Sequence, residues 1–160
     1  MTTVFLHPVR HIIFGQPENA IARWVPVAVV VIVIFILSSI PGDIYPRIDI
    51  PNADKGMHAI LFLPLGWFFA RAFAARAQKR AIVGREALTA MIAGIAYGAL
   101  DEIHQIWTPR RECDVNDWLV DCAAVIIGVV LWQLYAWFAL RTHAATAGKQ
   151  NHAGAETGQT

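Results

Sequence analysis

Four long hydrophobic segments constrain the fold of this chain more than any other feature. A transmembrane helix needs roughly 20 mostly apolar residues, and stretches of that length lie at about 21–40, 56–75, 87–107 and 117–140. The composition agrees with membrane insertion, because 56% of the 160 residues are hydrophobic and only 16% are charged. The connections between the segments are too short to fold as separate soluble domains. The sequence therefore predicts an all-α integral membrane bundle of four transmembrane helices.

Two flanking segments complete the predicted organisation around a membrane domain at 24–141. In the N-terminal arm, residues 1–23, several apolar residues share one helical face, as in a helix that lies at a membrane interface. An arm without regular structure is the alternative. Residues 142–160 are rich in Ala, Gly, Thr and Gln without hydrophobic periodicity. We therefore expect a disordered cytoplasmic tail there.

The distribution of Lys and Arg predicts the orientation of the bundle. Nine of the 13 lie in or beside the N-terminal arm, the connection between the second and third segments, and the tail. The other four lie in the loops at 41–56 and 108–116. Cytoplasmic loops of multi-pass proteins carry the excess of Lys and Arg. Both termini should thus be cytoplasmic, and the two loops should face outward from an inner (cytoplasmic) membrane.

Acidic residues concentrate at this predicted outer side. Nine of the twelve lie in or beside the two outward loops, and several adjoin hydrophobic segments. Burying a carboxylate in hydrocarbon is costly, so an ionisable residue at such a place indicates a functional site. The nine acids are Asp43, Asp49, Asp54, Asp101, Glu102, Glu112, Asp114, Asp117 and Asp121.

The second and fourth segments each begin with two polar residues on one helical face. Residues four apart are neighbours on a helix, so Asp54 and His58 can hydrogen-bond or bind a ligand together. Asp117 and Asp121 have the same spacing. Lys55 points away from the face of Asp54 and can reach headgroups.

The third segment carries its polar residues on a face suited to helix packing. That face is a narrow stripe of Gly94, Gly98, Asp101 and Gln105. Small residues four apart let another helix approach closely, and Glu102 lies at the edge of the stripe. In the fourth segment Ala124 and Gly128 continue the face of the acids. We expect the two stripes to meet and to bring the acids of both helices together.

A cluster of acids in a partly buried place needs compensation. Like charges and desolvation both disfavour ionised carboxylates, and acids at a helix C-terminus, such as Asp101 and Glu102, also oppose the helix dipole. The nearest cations in the sequence are Arg110 and Arg111, with Lys55 across from them. A purely structural network that pins the helices together is one interpretation of this pattern, and a working site is the other.

The spacing of possible ligands does not match a known metal motif. His58, Asp54 and Glu102 are the residues that could hold a divalent ion together, but no pair on one helix has zinc spacing such as H-E-x-x-H. The sequence therefore predicts no metal and no other cofactor. It contains no glycine-rich phosphate loop or nucleotide fingerprint, and we expect no nucleic-acid partner. The expected partner is the lipid bilayer, and the oligomeric state stays open.

Polar motifs in three of the segments carry a resemblance to a known family. They are Asp54-Lys55-x-x-His58 with Phe62 and Leu65-Gly66, Asp101-Glu102-x-x-Gln105, Pro109 with Arg111, and Asp117-x-x-x-Asp121. From about 38 to 128 the chain resembles the VanZ-like membrane proteins. It departs from them at Asp121, where the family commonly has Asn, and at Ala124, where it commonly has Gly. The family is named for a protein associated with low-level teicoplanin resistance, so the resemblance implies a cell-envelope role connected with antibiotic resistance, without naming a reaction.

The resulting functional hypothesis is a polar intramembrane cluster that forms an outward-facing pocket. We expect it to bind a polar or phosphorylated headgroup, for example of an envelope precursor, or a cationic solute. The candidate catalytic residues are His58 and Glu102 as an acid–base pair, with Asp101. Lys55 and Arg111 would clamp an anion, and the other ligand-binding candidates are Asp54, Gln105, Asp117 and Asp121. A membrane enzyme acting on a lipid-linked envelope precursor and a non-catalytic assembly factor are the alternatives.

Cysteine labelling tests the predicted orientation. In a chain without its native cysteines, Asn52→Cys should react with a membrane-impermeant maleimide added from outside, because it lies in an outward loop. Lys79→Cys, in the positively charged connection, should react only after the membrane is permeabilised. The reverse labelling pattern would overturn the orientation and, with it, the outward position of the acids.

Overall fold

The computed structural model describes residues 19–44, 52–74 and 84–157. In these ranges every regular element is an α-helix. The helices are α1 (Ala20–Ser38), α2 (Ala53–Ala74), α3 (Arg85–Gln105) and α4 (Val115–Thr157). The all-helical prediction is confirmed, and each helix begins within three residues of its predicted start. Residues 1–18, where an interfacial helix was predicted, lie outside the described residues.

Local sequence accounts for the bounds of α1. The side chain of Asn19 accepts a hydrogen bond from the backbone N–H of Ala22 at 2.8 Å and caps the helix N-terminus. At the other end the N–H of Ser39 donates to the carbonyl oxygen of Phe35 at 3.0 Å, and Pro41 follows two residues later. Proline has no N–H to continue a helix, so the chain turns there.

The fourth helix is longer than the sequence predicts. A disordered tail was expected from 142, whereas α4 continues to Thr157. Five of the residues between 142 and 157 are alanines, and alanine has the strongest intrinsic preference for helix. Residues 142–157 have no hydrophobic periodicity, but they can continue a helix that the membrane segment has already nucleated.

Among the residues that the structure describes, three helices are long and apolar enough to cross a membrane. They are α1, α2 and the part of α4 from Val115 to Ala139. Their outer surfaces carry large apolar side chains, such as Ile60, which is 68% exposed. A soluble protein rarely exposes so many apolar side chains together, whereas hydrocarbon solvates them. The pattern is that of a multi-pass membrane protein.

Helix α2 lies at the centre of the packing and contacts each of the other helices. Its aromatic side chains fill the core, with Trp67 and Trp132 of α4 packed edge to face and their ring centroids 5.2 Å apart. Phe62 and Leu65 of α2 are fully buried, as is Val125 of α4. The central position of α2 places its N-terminal residues between α1, α3 and α4.

Two glycines bring the backbones of α2 and α4 into direct contact. A methyl group at Gly66 would overlap the carbonyl oxygen of Val125, and one at Gly128 would overlap the carbonyl oxygen of Leu63. The prediction that Gly128 faces α3 is therefore wrong, because its side of α4 packs on α2. The predicted meeting of α3 with α4 is confirmed at Gly98, where an added Cβ would lie 3.2 Å from the Cβ of Asp121.

Alanine substitutions test this close approach. Gly66→Ala and Gly128→Ala should each lower the free energy of unfolding by about 1–3 kcal/mol, since the added methyl must push two backbones apart. Gly56→Ala is the matched control on α2, because a Cβ there would meet nothing within 4 Å. Thermal melting in detergent measures all three. Equal melting temperatures for Gly66→Ala and Gly56→Ala would contradict the packing.

Candidate functional site

Buried polar side chains gather at one end of the bundle. They come from the end of α1, the first turns of α2, the last turn of α3 with the loop after it, and the first turns of α4. We call this set the polar cluster; its buried members are Ser38, His58, Asp101, Glu102, Gln105, Thr108, Asp117 and Asp121. Lys55, at the edge of the set, joins them through its ion pairs. Buried polar groups need hydrogen-bond or charge partners, and the partners here come from different helices.

His58 is the centre of the cluster. Its Nδ1 lies 3.0 Å from Oδ1 of Asp121, which is fully buried. Its Nε2 lies 3.9 Å from Oδ2 of Asp117, and its Nδ1 lies 4.0 Å from Oε1 of Glu102. The hydrogen bond that the sequence allowed between His58 and Asp54 is replaced by this bond to α4. The carboxylate of Asp54 is instead more than half exposed and pairs with Lys55.

Lys55 joins the start of α2 to the start of α4. Its Nζ donates to Oδ1 of Asp117 at 2.7 Å and lies 3.4 Å from Oδ2 of Asp114 and 3.5 Å from Oδ2 of Asp54. Lys55 was expected to point away from the face of Asp54, but the two side chains form an ion pair. The pairing of Lys55 with Asp117 agrees with its expected place among the cations that compensate the acids. Its ammonium is attracted by three carboxylates that the folded chain gathers within its reach.

Asp101 is satisfied by uncharged donors. The hydroxyl of Ser38 donates to its Oδ2 at 2.9 Å, and the side-chain amide of Gln105 donates to the same oxygen at 3.3 Å. Thr108 in turn donates to the carbonyl oxygen of Ser38 at 3.2 Å. Sequence analysis missed Ser38 and Thr108 as members of the site. A hydroxyl side chain at the end of an apolar span is the signal that could have identified Ser38.

Glu102 and Asp121 each have one oxygen without a hydrogen bond. Oε2 of Glu102 accepts from the backbone N–H of Asp114 at 2.9 Å. Within the described part of the chain, Oε1 of Glu102 and Oδ2 of Asp121 are buried and have no hydrogen-bond partner. Buried polar atoms of this kind are few in folded proteins. Both lie on carboxylates that face His58.

The loop between α3 and α4 covers the cluster and is tied to the end of α1. The N–H of Gly42 donates to the carbonyl oxygen of Pro109 at 3.0 Å, and Arg110, in the left-handed conformation with φ of 57°, pairs with Asp43 at 3.0 Å. Arg111, the cation expected to compensate the acids of α3, donates to the carbonyl oxygen of Leu37 at 3.5 Å. These contacts hold the loop over the bundle end.

Asp114 ends the loop and begins α4. The backbone N–H of Asn116 donates to its Oδ1 at 2.8 Å, as in a helix cap. This hydrogen bond, assisted by Lys55, holds the pKa of the Asp114 carboxyl below its ordinary value. Asp114 therefore stays ionised and orients its N–H toward Glu102.

A cavity of about 390 Å³ opens beside the cluster, between α1, α2 and the loop. Its wall contains both apolar and charged side chains. The lining residues are Ile34, Leu37, Ser38, Gly42, Asn52, Ala53, Asp54, Met57, His58, Leu61, Phe62, Asp101, Arg110 and Arg111. Volumes of this size are common for small-molecule sites.

The predicted site residues thus fall into two adjoining places. Asp54, His58, Asp101 and Arg111 line the cavity. Five other predicted residues pack beside it as an ionic cluster, in contact with His58 or Asp101 or with each other: Lys55, Glu102, Gln105, Asp117 and Asp121. His58 belongs to both places, because it lines the cavity and its two nitrogens lie within 4.0 Å of carboxylate oxygens.

One atom from each of His58, Glu102 and Asp117 lies within 4.8 Å of the other two, a spacing compatible with a metal ion. The sequence singled out His58 and Glu102 for such a role but took Asp54 as the third residue. In the structure the third residue is Asp117 of α4 and not Asp54 of α2. Carboxylate oxygens and imidazole nitrogen are ligands for Zn²⁺ and related ions.

Comparison with known proteins gives one family. A family model described as VanZ/LLP1 matches residues 9–137. That range contains all the polar-cluster residues and all the residues that line the cavity. Neither the search of curated proteins nor the search of solved structures finds a match.

The bond between His58 and Asp121 gives a stability test. Asp121→Leu keeps the approximate shape but leaves a buried imidazole N–H without its acceptor, which should lower the free energy of unfolding by about 1–3 kcal/mol. Asp121→Asn should cost less, because its side-chain oxygen still accepts that hydrogen bond. Asp54→Leu is the exposed control and should change stability by less than about 1 kcal/mol. Equal losses for Asp121→Leu and Asp54→Leu in thermal melts would contradict the assigned role.

Proposed function

Because this chain belongs to the VanZ/LLP1 family, we propose that it serves the cell envelope by binding a phosphorylated amphiphile in its cavity. The protein is a multi-pass protein of the inner membrane in this proposal, with both termini in the cytoplasm and the cavity at the outer face. The observation that carries the proposal is the cavity itself, because its lining combines apolar side chains with charged ones.

The surface of α3 supports its assignment as the fourth span. Its 21 residues extend roughly 30 Å at 1.5 Å per residue, which equals the hydrocarbon thickness of a bilayer. Leu88, Ile92 and Leu100 are each more than half exposed and would face lipid. Asp101 and Glu102, the acids of this helix, are buried against the other helices. An acid buried in protein avoids the cost of contact with hydrocarbon.

The chemistry of the cavity wall supports an amphiphile over a free solute. Ile34, Met57 and Leu61 form an apolar surface on α1 and α2, and they suit an acyl or prenyl chain. Arg110 and Arg111 lie on the wall together with the carboxylates. Arginine guanidinium groups match the geometry of phosphate oxygens. A phosphate headgroup beside the arginines, with its chain along the apolar surface, uses both parts of the wall.

His58 and Glu102 are the proposed acid–base groups of the site. His58 lines the cavity and its Nδ1 lies 4.0 Å from Oε1 of Glu102, so a small movement of the side chains would let the two groups exchange a proton beside a bound ligand. This arrangement favours the alternative in which the bound molecule is a lipid-linked envelope precursor that the protein modifies. The rival is a non-catalytic assembly factor, and it is supported by the many ion pairs that join α2 to α4.

A bulky residue in the cavity separates ligand binding from assembly. Met57→Trp adds a ring inside the cavity at a side chain that is partly exposed and can be replaced without disturbing the core. The matched control is Ile60→Trp on the same helix, which is 68% exposed and does not line the cavity. Native mass spectrometry of the protein in detergent would measure the binding of phosphatidylglycerol, undecaprenyl phosphate and, as a zwitterionic control, phosphatidylcholine.

We expect wild type and Ile60→Trp to bind an anionic phosphorylated amphiphile more tightly than phosphatidylcholine, and Met57→Trp to lose at least tenfold in affinity for it. Preference for undecaprenyl phosphate would identify the ligand as an envelope carrier, whereas equal binding of both anionic lipids would identify a phospholipid. If phosphatidylcholine binds as well as the anionic lipids, or if Met57→Trp binds like wild type, the proposal fails. The results would then favour a non-catalytic assembly factor.

A further inference from the structure

The three residues His58, Glu102 and Asp117 share an arrangement that their roles as ion-pair partners do not require. Each uses one polar atom in a hydrogen bond to another residue and has a second polar atom besides. His58 uses Nδ1 for Asp121, Glu102 uses Oε2 for the N–H of Asp114, and Asp117 uses Oδ1 for Lys55. The second atoms are Nε2 of His58, Oε1 of Glu102 and Oδ2 of Asp117. Oδ2 lies 3.9 Å from Nε2, and Oε1 lies 4.0 Å from Nδ1 of the same ring.

From this arrangement we propose that His58, Glu102 and Asp117 bind a divalent metal ion of the Zn²⁺ type. One ligand atom from each residue lies within 4.8 Å of the other two, and Nε2 of His58 is 3.9 Å from Oδ2 of Asp117. Ligand atoms around a tetrahedral zinc ion are about 3.3 Å apart. Small rotations of the side chains would close this difference. The site stands on these three residues whether or not an amphiphile occupies the cavity. With a metal ion bound, His58 and Glu102 would be its ligands and not an acid–base pair, so the two proposals are tested separately.

The oxygen Oε1 of Glu102 points to a ligand independently of the clustering. Its side chain is only 4% exposed, and this oxygen has no hydrogen-bond partner in the part of the chain that the structure describes. A buried carboxylate oxygen without a donor or a cation is costly. A metal ion in the gap beside His58 would supply the missing positive charge.

Asp121 orients the imidazole in the way that metal sites use. Metal-binding histidines commonly donate their other ring N–H to a carboxylate, which fixes the tautomer. With Nδ1 bonded to Oδ1 of Asp121 at 3.0 Å, the lone pair of the neutral ring is on Nε2. Asp121 is therefore a positioning residue in this site. It is fully buried, so its hold on the ring is not weakened by solvent.

The charges of the cluster leave room for a divalent ion. Glu102, Asp117 and Asp121 carry three negative charges when ionised, and of these three Lys55 contacts Asp117. Lys55 also pairs with Asp54 and Asp114, so with a neutral imidazole a divalent ion would supply positive charge that Lys55 alone does not. Uncompensated charges at these burial levels are strongly unfavourable. Zn²⁺ suits this set of one nitrogen and two oxygens, and three protein ligands leave a fourth position open.

Binding of Zn²⁺ to purified protein tests the site. The full chain would carry a tag without histidine, be stripped with a chelator in detergent, and be titrated calorimetrically with Zn²⁺ and, in a second series, with Mn²⁺. Wild type should bind Zn²⁺ saturably at one equivalent to this site, with a rise in melting temperature. Glu102→Gln should weaken that binding at least tenfold, because the amide is a poor metal ligand. Glu112→Gln, an exposed acid in the loop, is the matched control and should bind like wild type.

The histidines elsewhere in the chain require a second variant. Asp117→Asn should weaken binding as Glu102→Gln does, and it serves as the test if Glu102→Gln does not accumulate. Saturable binding that is unchanged in either variant would place the ion elsewhere and overturn the proposal, as would the absence of saturable binding by wild type. Met57→Trp should retain Zn²⁺ binding, so a failure of the amphiphile proposal and a failure of this one give different results.

Discussion

The structure depends on a buried imidazole that carboxylates from two helices surround. The hydrogen bond of His58 to Asp121 joins α2 to α4 at 3.0 Å, and Glu102 approaches the same ring from α3. In a low-dielectric interior such contacts are much stronger than in water, and their loss leaves a charge without a partner. The three helices must therefore keep their rotation and depth relative to one another, and the cavity wall on α1 is built against this fixed frame.

The sequence predicted the helices and the faces of the site residues but not the partners of each side chain. Hydrophobic length determines where a membrane helix begins and ends within a turn, and spacing of four put Asp117 and Asp121 on one face. Spacing does not determine how far one helix is rotated against another. That is why His58 bonds Asp121 and not Asp54, and why Gly128 packs on α2. The length of α4 was missed because an alanine-rich tail has no periodicity to detect.

The polar cluster combines two ways of keeping charge inside a bundle. Asp117 lies in the first turn of α4, where the helix dipole favours an acid, and it pairs with Lys55. Asp101 and Glu102 lie at the C-terminal end of α3, where the dipole opposes them, and neutral donors stabilise them: the hydroxyl of Ser38 and the N–H of Asp114. Asp117, which the helix dipole favours, thus pairs with a lysine. Asp101 and Glu102, which the dipole opposes, accept hydrogen bonds from uncharged donors.

The contact of Gly66 with Val125 also controls the distance between α2 and α4 at His58, two helical turns away. Gly66 is eight residues from His58 on α2, a distance of roughly 12 Å along the helix axis. A backbone N–H or ring N–H bond weakens once its heavy atoms separate beyond about 3.2 Å, and the bond of His58 to Asp121 is already at 3.0 Å. A shift of a few tenths of an ångström between α2 and α4 would therefore weaken the hydrogen bond that orients the imidazole of His58. The lack of a side chain at Gly66 therefore allows the helix separation at which His58 and Asp121 can form their hydrogen bond.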